Sequence, residues 1–291
     1  MFKKAIILAA LLTASSGYTC TSDGVEGIVE DNNLWISPFN KNSNTMTEER
    51  FNAVIDKVEN IYKPIIDGMG ARLSVIRKWD DGTVNAYAQR SGKTWKVSMF
   101  GGLARHEAIT EDGFALVVCH EIGHHIGGAP KKAGWFNTWA TNEGQADYWA
   151  TLKCLRKVFR AESDQNESIV KSLNVPTAVV DTCAEQFTTE EDKLICQRGA
   201  MAGLSTAKLF QALRNSTTEP DFETPDSDIA SRTDDSHPAT QCRLDTYYSG
   251  ALCYLDETLD VDQKDEAAGV CYRKASDTTG VRPLCWFKPK S

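Results

Sequence analysis

Apolar positions along this chain change their period several times, and each change marks an element. Phe51, Val54, Ile55, Val58, Ile61, Tyr62 and Ile65 recur at the spacing of a helix with one buried face. Thr47 precedes them as an N-cap, Glu48 and Glu49 follow in the first turn, Pro64 falls in the last turn, and Gly68 and Gly70 end it. From Ala71 the pattern becomes alternation. Ala71–Trp79, Thr83–Gln89 and Thr94–Phe100 are separated by Asp80-Asp81-Gly82 and Ser91-Gly92-Lys93 turns, which predicts a small antiparallel meander. Apolar-rich segments of helical length follow at Glu111–His125, Asn142–Val158 and Thr189–Leu213. Residues 215–236 are rich in Pro, Asp, Ser and Thr and read as loop. A short helix at Gln241–Leu255 precedes a cysteine-bearing tail. The expected class is α+β, mainly helical with a small antiparallel sheet.

The start of the chain, MFKKAIILAALLTASSGYTC, has a short basic stretch, an apolar run from Ala5 to Leu12 and then small residues. That is the pattern of a signal peptide over residues 1–17, and the run is too short to span a bilayer. Cys20 raises a rival reading, a lipid anchor, but the Gly17-Tyr18-Thr19 before it lacks the leucine of a lipoprotein cleavage site. No other segment approaches twenty apolar residues, so no transmembrane helix is expected. Residues 18–45 read as an N-terminal loop segment, 46–255 as one domain and 256–291 as a cysteine-containing extension. The net charge of −8 argues against a nucleic-acid partner. Export would place the protein outside the cell or in a periplasm, where cysteines pair. Nine cysteines leave one over. Either Cys20 is removed or lipidated and eight pair, or Cys119 stays a buried thiol and Cys20 pairs. The second scheme is preferred, because Cys119 lies inside the helix that carries the main motif. Cys242 and Cys253 fall about 16 Å apart on one helix, too far to bond to each other. Two sequons, at Asn166 and Asn215, are short matches of a kind that chance supplies.

The chemistry concentrates in Cys119-His-Glu-Ile-Gly-His-His-Ile-Gly-Gly-Ala-Pro130, which holds three of the five histidines. Residues four apart on a helix lie about 40° apart around its axis, so His120 and His124 can meet one ion. His125 lies about 140° from His120 and is left a supporting or structural role. Glu121 completes H-E-x-x-H, in which the glutamate sits beside the metal and takes a proton from the attacking water. Zinc is the metal this set suits, with three protein ligands and one open position in a catalytic site. Glu143, nineteen residues beyond His124, is the expected third ligand, and Gly127, Gly128 and Pro130 let the chain turn back to it. Asp147, one turn further on, is placed to accept the free N–H of a ligand histidine. His106 is assigned no role.

These motifs resemble the gluzincins, and in particular the branch that includes the heat-shock protease HtpX, the periplasmic BepA-type proteases and the CaaX prenyl proteases. Asn85-Ala86-Tyr87-Ala88 with Gly92 and Gly102-Leu103 is similar to that branch's edge-strand segment. His120-Glu-Ile-Gly-His124, Glu143-Gly-Gln-Ala-Asp147 and His237-Pro238 with Arg243 follow in the same order. The resemblance spans about residues 85 to 245. It implies a zincin-like fold for the 46–255 domain and zinc endopeptidase activity on proteins or peptides. It also implies a place at the catalytic cleft for His237 and Arg243, and substrate binding along Asn85, Ala86 and Tyr87 by strand addition. The chain departs from the branch in having Asp235 where a serine stands two before the His-Pro histidine, and in the short span between His124 and Glu143.

Two other functions compete. A zinc-braced secreted binding module, inactive or latent, would have His237 closing the metal site. Glu121 speaks against it, since a structural zinc needs no general base. An exopeptidase would need a site for a free terminus, and no motif for one is present.

Overall fold

A computed structural model describes residues 27–40, 44–134, 138–273 and 278–290. Helix α1, Glu48–Gly68, starts where the Thr47 hydroxyl accepts a hydrogen bond from Arg50 N. It buries Phe51, Val54, Ile55, Val58, Tyr62 and Ile66, the stripe that the periodicity predicts apart from its last turn. This face packs on β1 (Arg72–Lys78) and on α3 (Glu111–Ile126).

The sheet corrects the expected meander. Its strands β1, β2 (Ala86–Ser91) and β3 (Thr94–Phe100) lie in the order β1-β3-β2, with β2 antiparallel and β1 parallel to β3. Alternation reports which face a residue occupies, not which strand is central. The β1–β2 connection crosses the end of β3, and two glycines of α2 (Gly101–Ala104) make room for it. A Cβ on Gly101 would lie 1.9 Å from Trp79 O, and one on Gly102 would lie 2.0 Å from Gly82 O. Gly102 N and Leu103 N donate to Asp81 O and Thr83 O, so the crossing backbone is satisfied. The N-terminal segment is tied to the same connection. Ile28 N donates to Ala86 O, Ile36 N donates to Gly82 O, and Trp35 bridges Thr83.

Helix α3 is capped by Thr110, whose hydroxyl accepts from Gly113 N, and is buried from Gly113 to Ile126. A helix buried all round sits at the centre of its domain. The predicted Asn142–Val158 helix is α4 (Glu143–Trp149), a π-helical stretch (Ala150–Leu155) and α5 (Arg156–Arg160) in succession. α6 (Asn166–Ser172) and α7 (Thr177–Gln186) were not anticipated, because few of their residues are buried and so leave little periodic pattern. The Asn166 amide donates to Phe159 O and accepts from Arg198, which makes that sequon a structural residue. α8 (Glu190–Leu213) and α9 (Thr240–Leu252) pack on each other and enclose the α3–α4 pair.

Cys119 is not a free thiol: it bonds to Cys154 of the π-helical stretch, with the Cα atoms 5.6 Å apart. Sequence spacing could not show that these helices pack. The other pairs are Cys183–Cys196, Cys242–Cys285 and Cys253–Cys271, so the two cysteines of α9 bond to the tail and not to each other. Cys20 and the signal-peptide residues 1–17 lie outside the described residues. Four disulfides fit an oxidising compartment. Among the described residues, no helix is long and apolar enough to cross a membrane. The tail braces α4. Trp286 is fully buried against Gly144, where an added Cβ would meet the ring at 2.3 Å, and its indole N–H donates to Thr246.

Candidate metal centre

His120 and His124 leave consecutive turns of α3, and Glu143 is the first residue of α4. Asn142 caps α4 by accepting from Gln145 N, so Glu143 is held where the helix begins. All three side chains are fully buried, and one ligand atom from each lies within 4.8 Å of the others. Glu143 Oε2 is 3.3 Å from His120 Nε2 and 3.6 Å from His124 Nε2. Two donors that are each 2.0–2.1 Å from a tetrahedral zinc would lie about 3.3 Å apart, so these separations fit one ion.

The other ring nitrogens decide which atoms face that point. His124 Nδ1 is 2.8 Å from Thr141 O, and a carbonyl can only accept, so Nδ1 carries the hydrogen. His120 Nδ1 is 2.7 Å from Asp147 Oδ1, a carboxylate oxygen that can only accept. In the tautomer that metal ligation needs, each ring then turns its Nε2 toward Glu143. Among the described residues, neither Nε2 has a hydrogen-bond partner. Burial drives the His124 imidazole down to about 3, so it is neutral. His120 differs: burial lowers it, but Asp147 and Glu143 outweigh burial and raise it to about 9. Without a cation, a proton on His120 Nε2 takes the place that a metal would compete for.

Glu121 is fully buried on the same helix, and no hydrogen-bond partner for either oxygen is found among the described residues. Burial pushes its carboxyl up to about 8. A divalent cation a few ångströms away favours the ionised form and offsets that cost.

Asp147 is the hub behind the ligands. Arg243 grips it with two hydrogen bonds of 2.8 Å, and the Tyr247 hydroxyl donates to Oδ1 at 2.7 Å. Burial opposes ionisation of Asp147, but Arg243 and His120 bring its carboxyl down to about 2. Arg243 also donates to Ile28 O, which ties the N-terminal segment to the centre. Arg243 therefore reaches the candidate ligands through Asp147 and His120, and its guanidinium is committed to that carboxylate and to Ile28 O. Arg243→Met leaves a buried carboxylate without its counter-charge. A loss of about 3–5 kcal/mol in folding stability is expected from denaturant titration, and a loss below about 1 kcal/mol would contradict this role.

The chain matches no family model, no curated protein and no solved structure. The reading of the site rests on its own geometry.

His237 comes from the long loop before α9 and does reach the centre, with Nε2 3.4 Å from Glu143 Oε2. Asp234 O and Asp235 Oδ1 accept from the Asn142 amide, and Asp235 Oδ2 accepts from Ala133 N, so the loop is fastened to the start of α4. Asp235 thus has a structural task at the position where the resembling branch has serine. The substrate strand is only partly as expected. Asn85 is buried and exchanges hydrogen bonds with Val29, while Ala86 O is taken by Ile28. These two residues hold the N-terminal segment and are not open to a peptide. Tyr87 is half-buried, and burial pushes its phenol up, with Asp31 and Glu121 adding to the effect.

His125 is structural. Its ring stacks on both Trp95 and Trp139, and Nε2 is 3.1 Å from Lys96 O. His106 accepts from Ala108 N in the turn before α3. Sequence reasoning did not single out Lys132, whose Nζ is 2.9 Å from Glu143 Oε1, nor Tyr247 and Ile28. Tyr247 could have been found, because it follows Arg243 by one helical turn. Lys132 and Ile28 carry no such signal.

Proposed function

We propose that this protein is a zinc-dependent endopeptidase with a zincin-like catalytic domain, exported to the cell envelope or beyond. The observation that carries the reading is the pair of Nε2 atoms on consecutive turns of α3 facing a buried Glu143, with Glu121 buried on the same helix and outside the ligand set. A zinc ion held by His120, His124 and Glu143 would acidify a bound water and polarise the scissile carbonyl. Glu121 takes the proton of the attacking water and passes it to the leaving amine. His237, facing the centre from the opposite loop, stabilises the developing oxyanion. The Arg243–Asp147 pair holds His120 in its metal-binding tautomer. An extended peptide would pair with the edge strand β2 beyond Ala86, where Ala88 borders Trp139 and Ala140.

A second reading has one observation in its favour. His237 Nε2 lies as near to Glu143 Oε2 as the two expected ligands do, and its joining them would give a latent or purely structural site with four protein ligands. Digestion of a casein-like protein separates the two. Activity is expected that a zinc chelator abolishes and one equivalent of zinc restores. A protein that binds zinc stoichiometrically yet digests nothing would favour the binding module.

A further inference from the structure

The two oxygens of Glu143 have different surroundings. Oε2 is ringed by the Nε2 atoms of His120, His124 and His237, at 3.3, 3.6 and 3.4 Å. Oε1 lies 2.9 Å from Lys132 Nζ. Lys132 is placed by an isolated antiparallel bridge. Its backbone N–H donates to Ala140 O, and Lys131 bridges Thr141. That bridge also supplies the Thr141 carbonyl that sets the His124 tautomer, and Thr141 N donates back to His124 O. One short stretch of chain therefore orients two of the three expected ligands.

A carboxylate beside a divalent ion can bind through one oxygen or swing to bind through both. An ammonium group 2.9 Å from one oxygen opposes the swing, because that oxygen would have to exchange its ion pair for a place near a second cation. We propose that Lys132 is a positioning residue that fixes Glu143 as a one-oxygen ligand through Oε2, so that the ion keeps an open position for water. This rests on the metal reading above. Lys132 is also a fixed positive charge behind the carboxylate. It draws electron density from Glu143 and leaves the bound ion a stronger Lewis acid. The arrangement sacrifices some affinity for the metal in favour of a reactive site. Its side chain is only 14% exposed, so the pairing is less weakened by solvent than a surface ion pair would be.

The test is cobalt substitution, read by visible absorption, in the wild-type protein and in the Lys132→Met and Lys132→Arg variants. Wild type is expected to show the intense bands of a four-coordinate ion. Lys132→Met frees Oε1, and the bands should lose roughly half their intensity as a fifth donor joins. Cobalt should also bind about tenfold more tightly, since the second oxygen joins and the opposing positive charge is gone. Lys132→Arg restores the donor and the charge and should return the wild-type spectrum. Identical spectra and affinities in all three proteins would overturn the role of Lys132 while leaving the metal site standing. A wild-type protein that takes up no cobalt would overturn the metal reading itself. Lys132→Met folding normally but losing the metal entirely would also overturn the proposal, since Lys132 would then be needed for binding and not for its mode.

Discussion

Glu121→Gln protein is expected to bind one equivalent of zinc and to digest protein about 10²- to 10⁴-fold more slowly than wild type. Glutamine has the shape of glutamate but cannot take up the proton of the attacking water. None of the expected ligands is touched, since His120, His124 and Glu143 keep their partners in Thr141, Asp147 and Lys132. Nor should the fold suffer. Glu121 is a buried acid whose carboxyl is pushed up to about 8, so its charge is a cost to the metal-free protein. Folded protein without metal keeps the Glu121 proton up to that pH, whereas the unfolded chain releases it near its ordinary value of about 4.3. Between those two values the folded state binds more protons, and stability falls as pH rises. Glutamine removes that slope. Equilibrium unfolding of the metal-free variant at pH 5 and pH 8 should therefore differ less than it does for wild type. Wild-type rates of digestion by Glu121→Gln would end the assignment of Glu121 as general base.

What the sequence revealed depended on range. Contacts one turn apart on a helix are written in the spacing, so His120 and His124, the Thr47 cap and the apolar stripe of α1 were legible. The step from α3 to Glu143 was legible too, since Gly127, Gly128 and Pro130 let the chain turn back and the types of the residues limit what they can do. Longer-range facts were not. The strand order depends on a connection passing over Gly101 and Gly102, and no alternation pattern reports a crossing. Cys119 looked like a lone thiol because the packing of α3 on the π-helical stretch, which brings Cys154 to it, has no local signature. Arg243 stands out in the sequence, but its partner Asp147 does not follow from it. A motif gives the order of residues along the chain and says nothing of which side of a ligand each will occupy. The guanidinium pairs with Asp147, whose Oδ1 is 2.7 Å from His120 Nδ1. Ile28 shows the limit most plainly, since a backbone carbonyl in a loop-like segment completes the surroundings of a buried arginine more than two hundred residues away.

Glu143→Ala is expected to leave a folded protein that retains no zinc after dialysis. Two imidazoles remain, and two ligands hold zinc far less firmly than the three that a catalytic site uses. Asp147 is the nearest carboxylate along α4 and would seem a ready replacement, but both its oxygens are committed. Oδ2 accepts from Arg243, and Oδ1 serves His120, Arg243 and Tyr247 together. Recruiting Asp147 would strand a buried guanidinium, at a cost of several kcal/mol. The fold should survive the substitution, because the Asn142 cap and the Trp286 brace hold α4 independently of the Glu143 side chain. Lys132 can turn its ammonium to water from a side chain that already reaches the surface. Elemental analysis of the purified variant decides the matter, with circular dichroism to confirm the helices. Full zinc content would mean that His237 had closed the set with His120 and His124, and the ligand assignment would pass from the carboxylate to a third imidazole.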